Sequence, residues 1–315
     1  MTGRQVSIFG GAHIDRRARI FGTTVPGSSN PGSWFEEAGG GGFNAARNLA
    51  RLGLDVRMIS PRGGDAAGET VARAASEAGV IDCPFIFLDR KTPSYTAILE
   101  NDGNLVIALA DMELYRLFSP RRLQQKAMRE IISLSDLIVT DANLPEDTLT
   151  GLVARANAES KPIAAIAISP AKVDRLVKSL SGLDFLFMNE AEARALTGRD
   201  SAEAAEWPVL LKAAGLSGGV ITRGGKPAIA FHDGQTVTVA PPQLDALADV
   251  TGAGDSLAAG FLSAFVAGEP LDICLRSGVA AAGITVRSPL AVSEKMSRAM
   301  LEEAIRLVPP AEILS

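Results

Sequence analysis

The stretch that decides the fold reads LIVT at 137–140, EDTLTGLVARANA at 146–158, IAAIAI at 163–168 and DFLFM at 184–188. The first, third and fourth runs are too short for helices and too evenly apolar for strands with one wet face. They read as strands buried on both sides, with the 146–158 segment as a covering helix. Outward from there the rhythm repeats. Segments 6–10, 56–60 and 219–222 are further buried strands, and 44–52, 66–78, 120–133, 190–196 and 202–214 further helices. Strand–helix alternation of this kind implies βαβ units, so the fold class is α/β with a mostly parallel sheet flanked by helices. Toward the end a hairpin is expected at 228–232 and 236–239, turned by Asp233-Gly234, followed by helices at 252–266, 272–287 and 297–307.

Two segments break the alternation. Residues 14–38 hold strand-like runs with no helix between them, and 94–109 reads as a hairpin of 95–100 and 105–109 around Asn101–Asn104. Such strands need another sheet. The economical place for lid strands at about 14–38 and 94–111 is a small β-sheet lid over the carboxyl ends of the main strands, where α/β folds bind ligands. Trp34 is assigned to packing within it. With no repeat or long linker, residues 1–315 read as one domain with an inserted lid.

Composition narrows the function. The chain has 315 residues, 47% hydrophobic and 21% charged, with a formal net charge of −5, which argues against a nucleic-acid surface. The cluster Asp15-Arg16-Arg17-Ala18-Arg19 is too short to overturn that; it is a solvated face or a phosphate contact. Cys83, Cys274, His13 and His232 are the only residues of their kinds, so neither a zinc site nor a disulfide framework is indicated. No apolar run approaches the ~18 residues that span a bilayer, and no signal peptide opens the sequence. A cytoplasmic enzyme with no membrane partner is expected.

The chemistry is carried by Asp249-Val250-Thr251-Gly252-Ala253-Gly254-Asp255, which runs into an apolar helix. A small-residue turn at a helix N-terminus offers unpaired N–H groups and the positive end of the dipole to an anion. Asp255 would set a carboxylate beside that anion. This makes sense where the carboxylate takes a proton from a hydroxyl attacking phosphorus. Gly39-Gly40-Gly41-Gly42 precedes Asn44 and a helix; the run is either a flexible turn or backbone that must approach a ligand closely. Neither G-x-G-x-x-G nor G-x-x-x-x-G-K-[ST] occurs, so a nucleotide must be held differently. Asp15, after the first strand, suits vicinal hydroxyls or a turn. Asn189 and Glu192 suit a capping box or a carboxylate that orders magnesium.

Taken together, Gly40 with Asn44, Asn189-x-x-Glu192, Thr222-x-Gly224 and Thr251-Gly252-Ala253-Gly254-Asp255 resemble, in order and spacing, the ribokinase-like (PfkB-type) kinases. The resemblance implies a three-layer sandwich and ATP-dependent phosphorylation of a sugar or nucleoside. It implies Asp255 as general base, and the N–H groups of Gly252, Ala253 and Gly254 as an anion hole. Asn189, Glu192, Thr222 and Gly224 would line the ATP site, with Mg2+ held by Glu192 through water and the 278–292 segment near adenine. Asp15, His13, Gly40, Gly41 and Asn44 would hold the acceptor, with His13 either a substrate contact or a satisfied loop residue. Asp249 and Thr251 would hold a monovalent cation, K+. A homodimer through the lid is plausible by the same likeness.

A narrower resemblance, to the pseudouridine kinase branch, rests on Ser28–Gly32, Ser94-Tyr95, Asn101–Gly103, Ala110–Met112 and Asp141–Asn143. It adds Asp111 and Asn143 as acceptor contacts. The expected activity is transfer to the 5′-hydroxyl of a ribose-containing nucleoside, pseudouridine first. Ribose, another sugar, a purine nucleoside and a non-catalytic sugar-binding role are the alternatives.

Overall fold

The computed structural model describes residues 3–199, 203–243 and 248–314. Its central sheet runs, in spatial order, Glu312–Ile313, Gln235–Val239, Lys226–His232, Gly219–Arg223, Phe185–Asn189, Ile163–Ile166, Leu137–Asp141, Gln5–Phe9, Asp55–Ile59 and Ile81–Asp82. From Gly219–Arg223 to Ile81–Asp82 every neighbour is parallel, and the strands beyond Gly219–Arg223 are antiparallel.

Residue alternation explains the unbroken apolar runs. Ile8, Val139, Ile166, Phe187 and Val220 pack into one core with the helices Gly41–Arg51, Ala66–Ala78, Ala253–Val266 and Leu271–Thr285. Phe9, Ile138, Ala165, Leu186 and Ile221 enter a second core on the other face, with Glu146–Ala158 and Trp207. Each strand therefore buries both faces, and each large side chain so buried contributes about 1.5–3 kcal/mol. The expected hairpin turns at Asp233 and Gly234, whose φ of 47° and 79° suit a primed two-residue turn.

The segments outside the βαβ rhythm form one small sheet in the order Gly32–Gly39, His13–Ile20, Ser94–Leu99, Leu105–Asp111. Register sets its faces. Asp15 pairs with Glu37 and Tyr95, and Arg17 with Phe35 and Ala97, so these share one face. Trp34, Ile98, Ile107 and Leu109 belong to the other. Trp34 is 56% exposed there, which corrects its assignment to packing.

Some boundaries move. The helix expected at 44–52 is Gly41–Arg51, so two of the four glycines lie in its first turn. The helix expected at 120–133 is broken into Pro120–Leu123 and Lys126–Leu134. The helix expected at 202–214 is Glu206–Ala213; residue 202 lies outside the described residues.

Candidate active site

Gly252 turns the chain into the helix Ala253–Val266 with a φ of 74°, and a Cβ there would stand 2.1 Å from the Ala291 carbonyl oxygen. Only glycine meets both conditions. A Cβ on Gly254 would meet nothing within 4 Å among the described residues. The Ala253 N–H donates to the Val250 carbonyl at 3.2 Å, which removes it from the expected anion-hole donors. Gly254 and Asp255 bring first-turn N–H groups that no intrahelical carbonyl can meet.

Asp255 points toward the neighbouring helix. Its Oδ2 accepts from Asn44 Nδ2 at 2.8 Å, while Asn44 Oδ1 accepts from Arg47 Nη2 at 2.7 Å. Since arginine can only donate, the amide orientation of Asn44 is fixed by the chain of bonds. Burial lifts the Asp255 carboxyl to about 7; the Asn44 bond opposes this, and the charges of Asp141, Asp15 and Glu192 reinforce it. A carboxylate poised there suits a general base at neutral pH.

The glycine run is crowded by the chain's own atoms. A Cβ at Gly39 would lie 1.9 Å from Asp15 Oδ2, at Gly40 2.5 Å from the Gly11 carbonyl, at Gly41 2.4 Å from Ile168 Cδ1 and at Gly42 2.7 Å from Asp141 Oδ2. Gly41 would also bring a Cβ within 3.1 Å of Asp255 Oδ1. Asp141, at the end of a buried strand, holds this corner together. It accepts from the backbone of Gly11 at 2.8 Å and of Gly42 and Asn143 at 2.9 Å. Asp141 enters the sequence reading only as part of the Asp141–Asn143 stretch, with no role of its own; its signal there is a charge that ends an apolar strand.

His13 is buried, with Nδ1 2.8 Å from the Tyr115 hydroxyl and Nε2 3.2 Å from Asp15 Oδ1. The Tyr115 hydroxyl can donate to Nδ1, which leaves the Nε2 edge of the ring facing the Asp15 carboxylate. Asn143 is buried beside Gly11; its Oδ1 accepts from Lys172 Nζ at 2.7 Å, and its Nδ2 has no partner among the described residues. Burial holds the Lys172 ammonium below its ordinary range, against the pull of Asp141 and Asp15. Tyr115 and Lys172 are site residues that the sequence alone does not reveal. Asp111 is not brought to this cluster: it is exposed and pairs with Ser94, on the pleat face opposite Asp15.

On the other side of Asp255 lies a cavity of about 640 Å³. Asn189, Thr222, Gly224, Ala253 and Gly254 line it together with the apolar side chains of Val239, Val279, Ala282 and Val286. Arg223 and Lys226 also line it, and Arg223 is tied by its Nε to Glu190 at 2.9 Å. Asn189 and Glu192 form a full capping box, with bonds of 2.9 Å and 2.8 Å between each side chain and the other's N–H. Only one oxygen of Glu192 is used in it. Among the described residues no group of three His, Cys, Asp or Glu side chains could hold a metal.

Asp249 does not offer a free carboxylate to a monovalent cation. Its Oδ1 accepts from the Thr251 N–H at 2.9 Å and hydroxyl at 2.8 Å, and its Oδ2 from Arg17 Nη1 at 2.7 Å. Arg17 Nη2 also donates to Glu37 Oε1 at 2.5 Å. The expectation of K+ at Asp249 and Thr251 therefore fails the test of fit.

Comparison with known proteins gives the family and the fold. The family model described as pfkB family carbohydrate kinase matches residues 5–297. The pseudouridine kinase of Escherichia coli (strain K12) is 31% identical over 274 residues, which cover 84% of this chain and 85% of that protein. A solved structure of a carbohydrate kinase from Agrobacterium tumefaciens is 58% identical with a TM-score of 0.90, covering 99% of this chain and 100% of the other. The fold also matches the ribokinase of Arabidopsis thaliana complexed with ribose and ATP, at a TM-score of 0.86 and 21% identity over 97% of this chain and 99% of that one.

Proposed function

The chain belongs to the pfkB family of carbohydrate kinases, phosphotransferases acting on sugar or nucleoside hydroxyl groups, and we propose that its acceptor is the 5′-hydroxyl of a ribose-containing nucleoside, pseudouridine first. The observation that carries this reading is the position of Asp255. Its helix turn opens onto the cavity at Ala253 and Gly254, while its carboxylate bonds to Asn44 on the side of the polar cluster.

In the proposed reaction ATP fills the cavity, with its base against the apolar side chains and its phosphates toward Gly254. Asp15, beside His13, accepts hydrogen bonds from two ribose hydroxyls. Asp255 takes the proton of the attacking hydroxyl as its oxygen bonds to the γ-phosphorus and the bond from that phosphorus to the ADP oxygen breaks. Charge on the transferring group falls on first-turn N–H groups, Gly254 foremost. Mg2+ at the phosphates, reached from Glu192 through water, would neutralise charge on the transferring and leaving oxygens. Asn143 and Lys172 offer donors to a base that carries carbonyl oxygens, which favours a uracil-like ring over a free sugar. The apolar outer face of the small sheet, with Ile107 and Leu109 61% and 69% exposed, supports pairing of two copies through the lid.

The test is ADP release with Mg2+, ATP and a panel of pseudouridine, uridine, adenosine and ribose. Pseudouridine should give the highest kcat/KM, by at least roughly tenfold, because its base would pair polar groups that ribose leaves unpaired. A preference for ribose or adenosine would reassign the acceptor within the family. Binding of these compounds with no ADP formed would instead make the chain a sugar-binding protein.

A further inference from the structure

The pair Arg17–Asp249 joins parts of the chain 232 positions apart. Arg17 lies on the small sheet, two residues beyond Asp15 on the same pleat face, and Asp249 begins the turn that leads into Gly252. Beside Arg17, Glu37 accepts from its second guanidinium nitrogen and lies near the backbone of Ala291. Ala291 is the residue whose carbonyl crowds Gly252. One lid strand thus holds Asp249, before the anion-binding turn, through Arg17, and the neighbouring lid strand ties the same guanidinium through Glu37.

The chemistry of the donor set decides what can sit there. A monovalent cation needs oxygens that face it without a competing positive charge, yet Asp249 turns one oxygen to the Thr251 donors and the other to a guanidinium. That guanidinium already supplies one positive charge, permanently, because arginine does not deprotonate at working pH. A second cation against it would meet like-charge repulsion at short range.

We propose that Arg17 is a built-in cation: it takes the place of a monovalent metal ion at Asp249, makes the enzyme independent of K+, and couples the acceptor-bearing lid strand to the anion-binding turn. Arg17 touches neither substrate; it is a positioning residue acting through Asp249 and Gly252. Its activity arm rests on the kinase reading above, and its binding arm does not.

The experiment compares KCl with tetramethylammonium chloride at equal ionic strength. The wild-type protein should give the same ADP-forming rate in both, and the same Tm in both. Arg17→Met should lose roughly tenfold in kcat in tetramethylammonium, since it disturbs the anion-binding turn one step removed from the donors themselves. K+ should restore much of that loss and raise the Tm of this variant alone, while Arg17→Lys should need no rescue. A merely structural role would leave the loss insensitive to K+, and that result would overturn the proposal. So would K+ stimulation of the wild-type rate, or a K+-specific rise in its Tm. Should no acceptor be phosphorylated, the kinase reading fails while the two Tm comparisons still decide this one; should Arg17→Met not fold, the wild-type comparisons decide it.

Discussion

The two sides of Asp255 are built on opposite plans. The cavity side is made of backbone and apolar surface: the first turn at Gly254 and the side chains of Val239, Val279, Ala282 and Val286. The cluster side is made of polar side chains already bonded to one another, Tyr115 to His13, Lys172 to Asn143, and Asp141 to three backbone N–H groups. A ligand common to a whole family can be held by helix-end donors and apolar contact, which ask little of individual side chains. Choosing one acceptor among many similar ones requires polar groups in fixed places, because an analogue that leaves one unpaired loses affinity. On the proposed reading, specificity belongs to the side where the hydrogen bonds are preassembled.

The largest effect expected from that division is at its boundary. Asp255→Asn should lower kcat by roughly 10²–10⁴ with both KM values little changed, since it removes the base and keeps the shape. Near-normal turnover would mean the two sides do not meet at this residue. Next, Asp15→Asn should raise the KM for the acceptor by roughly tenfold or more and leave the KM for ATP alone, because a hydrogen bond to a charged group is lost on one side only. A comparable rise in both constants would erase the division.

The pH profile should be of similar size. With the Asp255 carboxyl held up at about 7, it is ionised, and able to accept a proton, only above that pH. Steady-state kcat/KM should therefore fall to about a tenth of its plateau at pH 6. A flat profile from pH 6 to pH 8 would show an ordinary carboxyl instead. The smallest effect is expected of Tyr115→Phe, which frees one His13 nitrogen without removing a group at the acceptor. A rise of about threefold in acceptor KM corresponds to loss of one neutral hydrogen bond. A larger change in the KM for ATP would tie Tyr115 to the wrong side.

Much of the architecture is legible in the chain because a strand buried on both faces must be apolar at every position, and 137–140, 163–168 and 184–188 are. The Gly252–Asp255 turn is legible for a similar reason: its glycines and carboxylate have few other uses in that order. The small sheet is harder. It can be inferred only from strands without helices, and which side chain faces which way depends on register. That parity sends Asp111 and Trp34 to the face opposite Asp15. The helix beginning at Gly41 escapes notice because glycine is a poor helix former; a Cβ at Gly41 or Gly42 would strike Ile168 or Asp141, so crowding outweighs propensity there.

By itself, then, the sequence determined the α/β layering, the turn that opens a helix onto an anion, and the residue types able to move a proton to or from it. These follow from local periodicity and local backbone geometry, which neighbours in the chain set. Only the tertiary structure decided which distant groups share a bond. It brings Arg17 to Asp249, Lys172 to Asn143 and Asn44 to Asp255, and it lifts the last carboxyl through burial. Such contacts are fixed by how sheets and helices stack, and electrostatic effects depend on distance in space rather than on separation along the chain.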